Sequence, residues 1–214
     1  MADPRPAGAE QYLPERRNLT ALRKTVDCCR GCGLYENATQ AVLGAGPAQA
    51  RLLLVGEQPG DQEDRQGAPF VGPAGRMLDR ALGDVGTDRR AVYLTNVVKH
   101  FKFERAGRGK RRLHKKPRQG EVTACRPWFD AELDAVRPRV VVCLGATAAK
   151  ALLGSSFRLT QHRGELIDFS SGGRTARQAL ATIHPSAVLR AQDDREEVYE
   201  GFRADLAIAV EAAG

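Results

Sequence analysis

Four short apolar runs, each ending in a polar or turn-forming residue, limit this chain more than any other feature. They are RLLLVGE (51–57), AVYLTN (91–96), RVVVCLG (139–145) and ALATIHPS (179–186). Runs of this length, rich in Val and Leu, suit strands buried on both faces, as in a parallel sheet covered on each side. GELIDF (164–169) reads as a further strand. Between them lie helical patterns at Leu19–Thr25, 73–86 with Pro73 in the first turn, Glu121–Val136, 146–154 and Arg195–Ala212. Strands alternating with helices predict an α/β fold with helices on both faces of a mostly parallel sheet. Residues 1–14 read as a mobile lead-in and 15–214 as one domain, a length that suits a single full-sized core.

That architecture predicts where function sits. Open α/β sheets bind ligands beyond the carboxyl ends of their strands. The residues at those ends are Glu57 and Gln58, then Thr95 and Asn96, then His184. A carboxylate, two carboxamides and an imidazole are therefore expected along one edge.

Charge marks a second region. The chain carries a net charge of +7, and the segment 105–118 holds eight cations and no acid. Without them 25 basic residues face 26 acidic ones, so the whole excess lives in that segment. A local basic cluster punctuated by Gly107, Gly109 and Pro117 reads as a loop for a polyanionic partner, and His114 stands within it. No stretch approaches the roughly 20 apolar residues of a membrane span. The first residues lack the apolar core of a signal peptide, so a cytoplasmic protein with no membrane partner is expected.

Five cysteines complete the inventory: Cys28, Cys29, Cys32, Cys125 and Cys143. Cys29 and Cys32 form a Cys-x-x-Cys pair, and thiolates at that spacing chelate one metal from a single turn. Cys125 and Cys143 are separated by 17 residues, across a predicted helix and into a strand. Four thiolates suit either zinc or a [4Fe–4S] cluster. Cys28 is the expected spare.

Together, VGEQPGDQEDRQGAPFVGPAGRML (55–78), LTNVVKH (94–100) and HPSAVLR (184–190), framed by the four cysteines, resemble the uracil-DNA glycosylase superfamily, most closely its iron–sulfur, family 4-type branch. Gln58 in GEQPG and KRRLH (110–114) are similar to the uracil-DNA-crosslinking branch, UdgX, whose loop reads K-R-R-I-H; Leu113 departs conservatively. The resemblance implies a three-layer α/β/α fold around a four-stranded, mostly parallel sheet. It implies a structural [4Fe–4S] cluster on Cys29, Cys32, Cys125 and Cys143. It implies a uracil pocket of Gln58, Asp61, Phe70 and Asn96, with Phe70 stacking and Asn96 on the Watson–Crick edge. Glu57 and His184 would act on the sugar and on the departing base, and His114 would attack C1′ and stay attached. Lys110, Arg111, Arg112 and Arg190 would grip DNA, with single strands preferred and a monomer expected. The competing readings are a multi-turnover glycosylase whose loop merely holds DNA, and a non-catalytic iron–sulfur or zinc protein that binds nucleic acid.

Overall fold

The computed structural model describes residues 8–107, 111–169 and 177–214. Its strands are β1 (Leu52–Gly56), β2 (Tyr93–Asn96), β3 (Phe103–Arg105), β4 (Arg112–His114), β5 (Val140–Leu144), β6 (Leu166–Phe169) and β7 (Arg177–Thr182). Its α-helices are α1 (Leu19–Thr25), α2 (Asp61–Gln66), α3 (Pro73–Asp84), α4 (Gln119–Val136), α5 (Ala146–Leu153), α6 (Leu159–His162), α7 (Pro185–Arg190) and α8 (Arg195–Ala213).

The main sheet has the order β2-β1-β5-β7-β6, and only the β6–β7 pair is antiparallel. It has five strands, as the apolar runs predicted, where the resemblance implied four. The addition is the edge strand β6, whose alternating exposed and half-buried residues mark a strand with one open face. β1 and β5 are buried along their whole length.

The pleat divides each central strand between two cores. Leu53, Val55, Val141 and Cys143 face one cluster; Leu52, Leu54, Val140, Val142 and Leu144 face the other. Helices α1, α4 and α5 cover the first face, and α3, α7 and α8 cover the second. This period of two also selects the side on which Cys143 lies. It joins Cys29, Cys32 and Cys125 in the first cluster.

Two expectations are corrected here. The basic segment is not a plain loop: Phe103–Arg105 pairs antiparallel with Arg112–His114, setting Phe103 opposite His114. From Gly8 onward the segment read as a mobile lead-in is packed. Gly8 N donates to Gly31 O, Ala9 N donates to Ala124 O, and Ala9 is fully buried in the first cluster.

Candidate active site

In this strand order the chain runs outward from β1 to β2 and then returns to the other side of β1 with β5. The crevice beyond the carboxyl ends of β1 and β5 is therefore the topological switch point. A cavity of about 870 Å³ opens there. Its lining includes Glu57 and Gln58 after β1, Asn96 at the end of β2, Thr147 after β5 and His184 after β7, together with Phe70 and His114. Glu57, Gln58, Asn96 and His184 come from the strand ends named from the sequence, and Thr147 from the first turn of α5. Phe70 and His114 come from a turn and a hairpin, which strand logic alone does not reach.

His184 is the N-cap of α7, with Pro185 fixing the first helical turn. Its Nδ1 accepts the backbone N–H of Ser186 at 3.2 Å and stands 2.8 Å from Ser186 Oγ. A backbone N–H can only donate, so Nδ1 carries no proton and the neutral ring has its hydrogen on Nε2. Burial, then the charges of Arg190 and His114, push its pKa down to about 4. The ring is held neutral as a hydrogen-bond donor. Ser186 Oγ in turn accepts from Arg190 Nη1 at 3.0 Å.

Across the pocket, His114 Nε2 lies 3.5 Å from Glu57 Oε1, while Thr147 Oγ1 donates to Glu57 Oε2. At 3.5 Å this is an approach, not a formed hydrogen bond. The His114 side chain is 51 % exposed and open to a ligand from outside. The Phe70 and His184 rings are stacked with centroids 6.1 Å apart, and Asn96 is buried at the strand end. A β-carbon on Gly56 would stand 2.5 Å from Asn96 Oδ1 and 2.8 Å from Phe70 Cζ, so glycine here lets the two side chains converge.

The hairpin carrying His114 is tied down by residues the sequence had assigned elsewhere. Gln58, expected on the base, uses its carboxamide on the hairpin's foot: Nε2 donates to Lys102 O and Lys115 O, and Oε1 accepts from Lys102 N at 3.1 Å. Arg112, expected on phosphate, turns inward. Its Nη1 reaches Asp64 Oδ2 at 2.6 Å, its Nε donates to Asp61, and its side chain is 7 % exposed. Asp61, expected at the base, lines the pocket and also accepts from Arg112, beside the buried Asp64. Burial works against the ionised form of Asp61, but hydrogen bonds from Arg65 and Arg112 prevail and hold it below its ordinary value. Arg112 also lies over Phe101 and Phe103. One-dimensional charge counting cannot distinguish an arginine facing solvent from one facing a buried carboxylate. Arg111 is exposed and Arg190 lines the pocket; Lys110 lies outside the described residues. Sequence reasoning overlooked Thr147, Ser186, Leu189 and Lys116, all in the pocket wall. Ser186, two residues after a histidine and directly after a helix-starting proline, carried a capping signal that could have revealed it.

Residues 43–207 match the sequence profile of the uracil DNA glycosylase superfamily. The chain belongs to the uracil-DNA glycosylase superfamily. It is similar to the Type-4 uracil-DNA glycosylases of Thermotoga maritima (36 % identical, covering 80 % of this chain and 83 % of the relative) and Archaeoglobus fulgidus (32 %, covering 87 % and 90 %). That of Pyrobaculum aerophilum is 34 % identical, covering 89 % of this chain and 92 % of its own.

Within this superfamily member the cysteines divide cleanly. Cys28 is exposed, and the other four are buried in one apolar cluster. Burial pushes Cys125 and Cys143 up to about 12 and raises Cys32, whose thiolate would also be opposed by that of Cys29. Four buried soft donors gathered in one apolar cluster suit a thiophilic metal or cluster. Among the described residues no three Cys, His, Asp or Glu side chains already stand in ligating geometry. The donor chemistry fits.

Proposed function

We propose that this chain excises uracil from DNA and retains the resulting sugar on His114. The observation that carries the reading is the approach of His114 to Glu57 at 3.5 Å in a pocket that also holds a neutral His184 able to donate a hydrogen bond. The Type-4 uracil-DNA glycosylase relatives support the excision half.

A flipped uracil would lie between Phe70 and the pocket wall, with Asn96 on its Watson–Crick edge. Breaking the N-glycosidic bond sends its electron pair to uracil and leaves a cationic sugar. Neutral His184, through Nε2–H, donates to the uracil oxygen on which negative charge grows, and its low pKa keeps that donor from changing state at working pH. Glu57 stabilises the sugar cation. The lone pair of the His114 nitrogen turned away from Glu57 then bonds to C1′. The proton on the other nitrogen passes to Glu57 and on to solvent, and the uracil anion takes one from water. Arg111 and Arg190 neutralise phosphates along the strand, single strands being preferred. Cys29, Cys32, Cys125 and Cys143 would hold a [4Fe–4S] cluster, which when bound cross-links the first face of the sheet.

Incubation with a single-stranded uracil oligonucleotide, followed by a denaturing gel, tests this. A band of protein plus DNA that disappears in His114→Ala is expected. Free abasic product in many turnovers, with no adduct, would replace this reading with that of an ordinary hydrolytic glycosylase. Neither product would leave a nucleic-acid-binding protein.

A further inference from the structure

Among the described residues, two that are not glycine adopt positive φ, Phe70 and Arg137, each at 55°. Arg137 is the left-handed residue that ends α4, a common helix stop. Phe70 has no such excuse. It lies in the turn between α2 and α3, ends no helix, and bears a bulky side chain that disfavours this conformation. Such strain persists only where surrounding structure imposes it.

The structure shows what imposes it. Arg89, in the turn after α3, donates from Nη2 to Pro69 O at 2.8 Å and from Nη1 to Phe70 O at 3.0 Å. The same Nη1 is anchored on Asp79 Oδ1 at 2.6 Å. A β-carbon at Gly75 would collide with the Phe70 carbonyl, so glycine in the first turn of α3 gives that carbonyl its place. With its backbone held from behind, the Phe70 ring projects toward Gly56 and His184 and is 5 % exposed. Arg89 and Asp79 are outside the pocket wall.

We infer that Arg89, anchored by Asp79, is a positioning residue that fixes the stacking face of Phe70 for the base. A planar guanidinium can reach two successive carbonyls and a carboxylate at once; a lysine ammonium cannot hold all three in that geometry. The inference rests on the proposed role of Phe70 as the uracil-stacking ring.

Calorimetric titration with free uracil separates the two. Wild type, Phe70→Ala, Arg89→Lys, Asp79→Asn and the double variant Phe70→Ala/Arg89→Lys are compared, with thermal melts confirming that each is folded. Arg89→Lys should weaken uracil binding about tenfold, within the range produced by loss of a base-stacking aromatic. Asp79→Asn should weaken it in the same direction by less, and it serves alone if Arg89→Lys does not fold. In the Phe70→Ala background, Arg89→Lys should add nothing further, because its action passes through the ring. Wild-type affinity in folded Arg89→Lys, with Phe70→Ala impaired, overturns the clamp alone. Undiminished affinity in Phe70→Ala overturns the stacking role and the clamp with it. A full Arg89→Lys effect in both backgrounds would mean that Arg89 acts on the fold in general, and would also overturn it.

Discussion

Replacing Arg112 with methionine distinguishes a latch on Asp64 from a phosphate contact. Methionine keeps much of the apolar stem over Phe101 and Phe103 but removes the charge from Asp64, whose side chain is fully buried. Breaking a buried ion pair by removing one partner costs about 3–5 kcal/mol. Asp64 would keep the Thr39 N–H at 2.9 Å and the Thr39 hydroxyl at 2.5 Å, so the low end, ~3 kcal/mol, is the appropriate figure. Asp61 is 40 % exposed and screened, and adds little. A loss of ~3 kcal/mol shifts the ratio of docked to undocked hairpin about a hundredfold. Amide hydrogen exchange in Phe103–Arg105 and Arg112–His114 should accelerate by that factor in Arg112→Met, with the rest of the sheet unchanged. Adduct yield should fall with it, because His114 leaves Glu57 when the hairpin lifts. Unchanged exchange, with the log–log salt slope of DNA binding reduced by ~0.7, would refute the latch and return Arg112 to a phosphate.

Arg111→Gln should show the opposite pattern: a salt slope lower by ~0.7 on a single strand, with hairpin exchange unaltered. For His184, a folded pKa of about 4 against 6.5 unfolded means that the native state binds fewer protons between those values, so its contribution to stability is complete above 6.5 and is lost as pH falls toward 4. Urea melts of wild type and His184→Gln should diverge in that window, by up to about 3 kcal/mol, and excision should keep its rate down to about pH 5; an acid limb centred at 6.5 would contradict the neutral donor. Gly56→Ala should cripple excision while leaving DNA binding intact, because the new methyl meets both Asn96 and Phe70 at under 3 Å; normal single-turnover rates would show that the two need not converge. Purified protein should absorb at about 400 nm and lose that band and its iron in Cys29→Ser but not in Cys28→Ser; equal loss in both would overturn the choice of the exposed thiol as the spare.

Much of this molecule follows from local pattern. Leu52–Gly56 and Val140–Leu144 are strands because short runs of Val and Leu with no polar break must be covered on both faces, and that requirement dictates parallel pairing with helices on each side. Glu57, Asn96 and His184 could be placed on one edge for the same reason, since parallel strands deliver all their carboxyl ends to the same side. The cysteines were partly readable: spacing identified the pair Cys29 and Cys32, but the face on which Cys143 lies was decided only by the packing of the sheet.

Tertiary structure was needed wherever a side chain had a choice of distant partners. Arg112 counts as one positive charge in any window, but only the folded chain brings Asp61 and Asp64, about fifty residues earlier, beneath it. Gln58 has the same carboxamide as Asn96, yet the hairpin takes its donors and acceptor before a base could. The left-handed turn at Phe70 runs against the residue's own preference and is imposed by Arg89 and by the space at Gly75. The tautomer of His184 depends on one N–H reaching Nδ1 at the start of a helix. Periodicity reports which face of an element is apolar, a property summed over many residues. Hydrogen bonds and ion pairs are single, directional and short-ranged, so their partners are chosen only when the chain has closed.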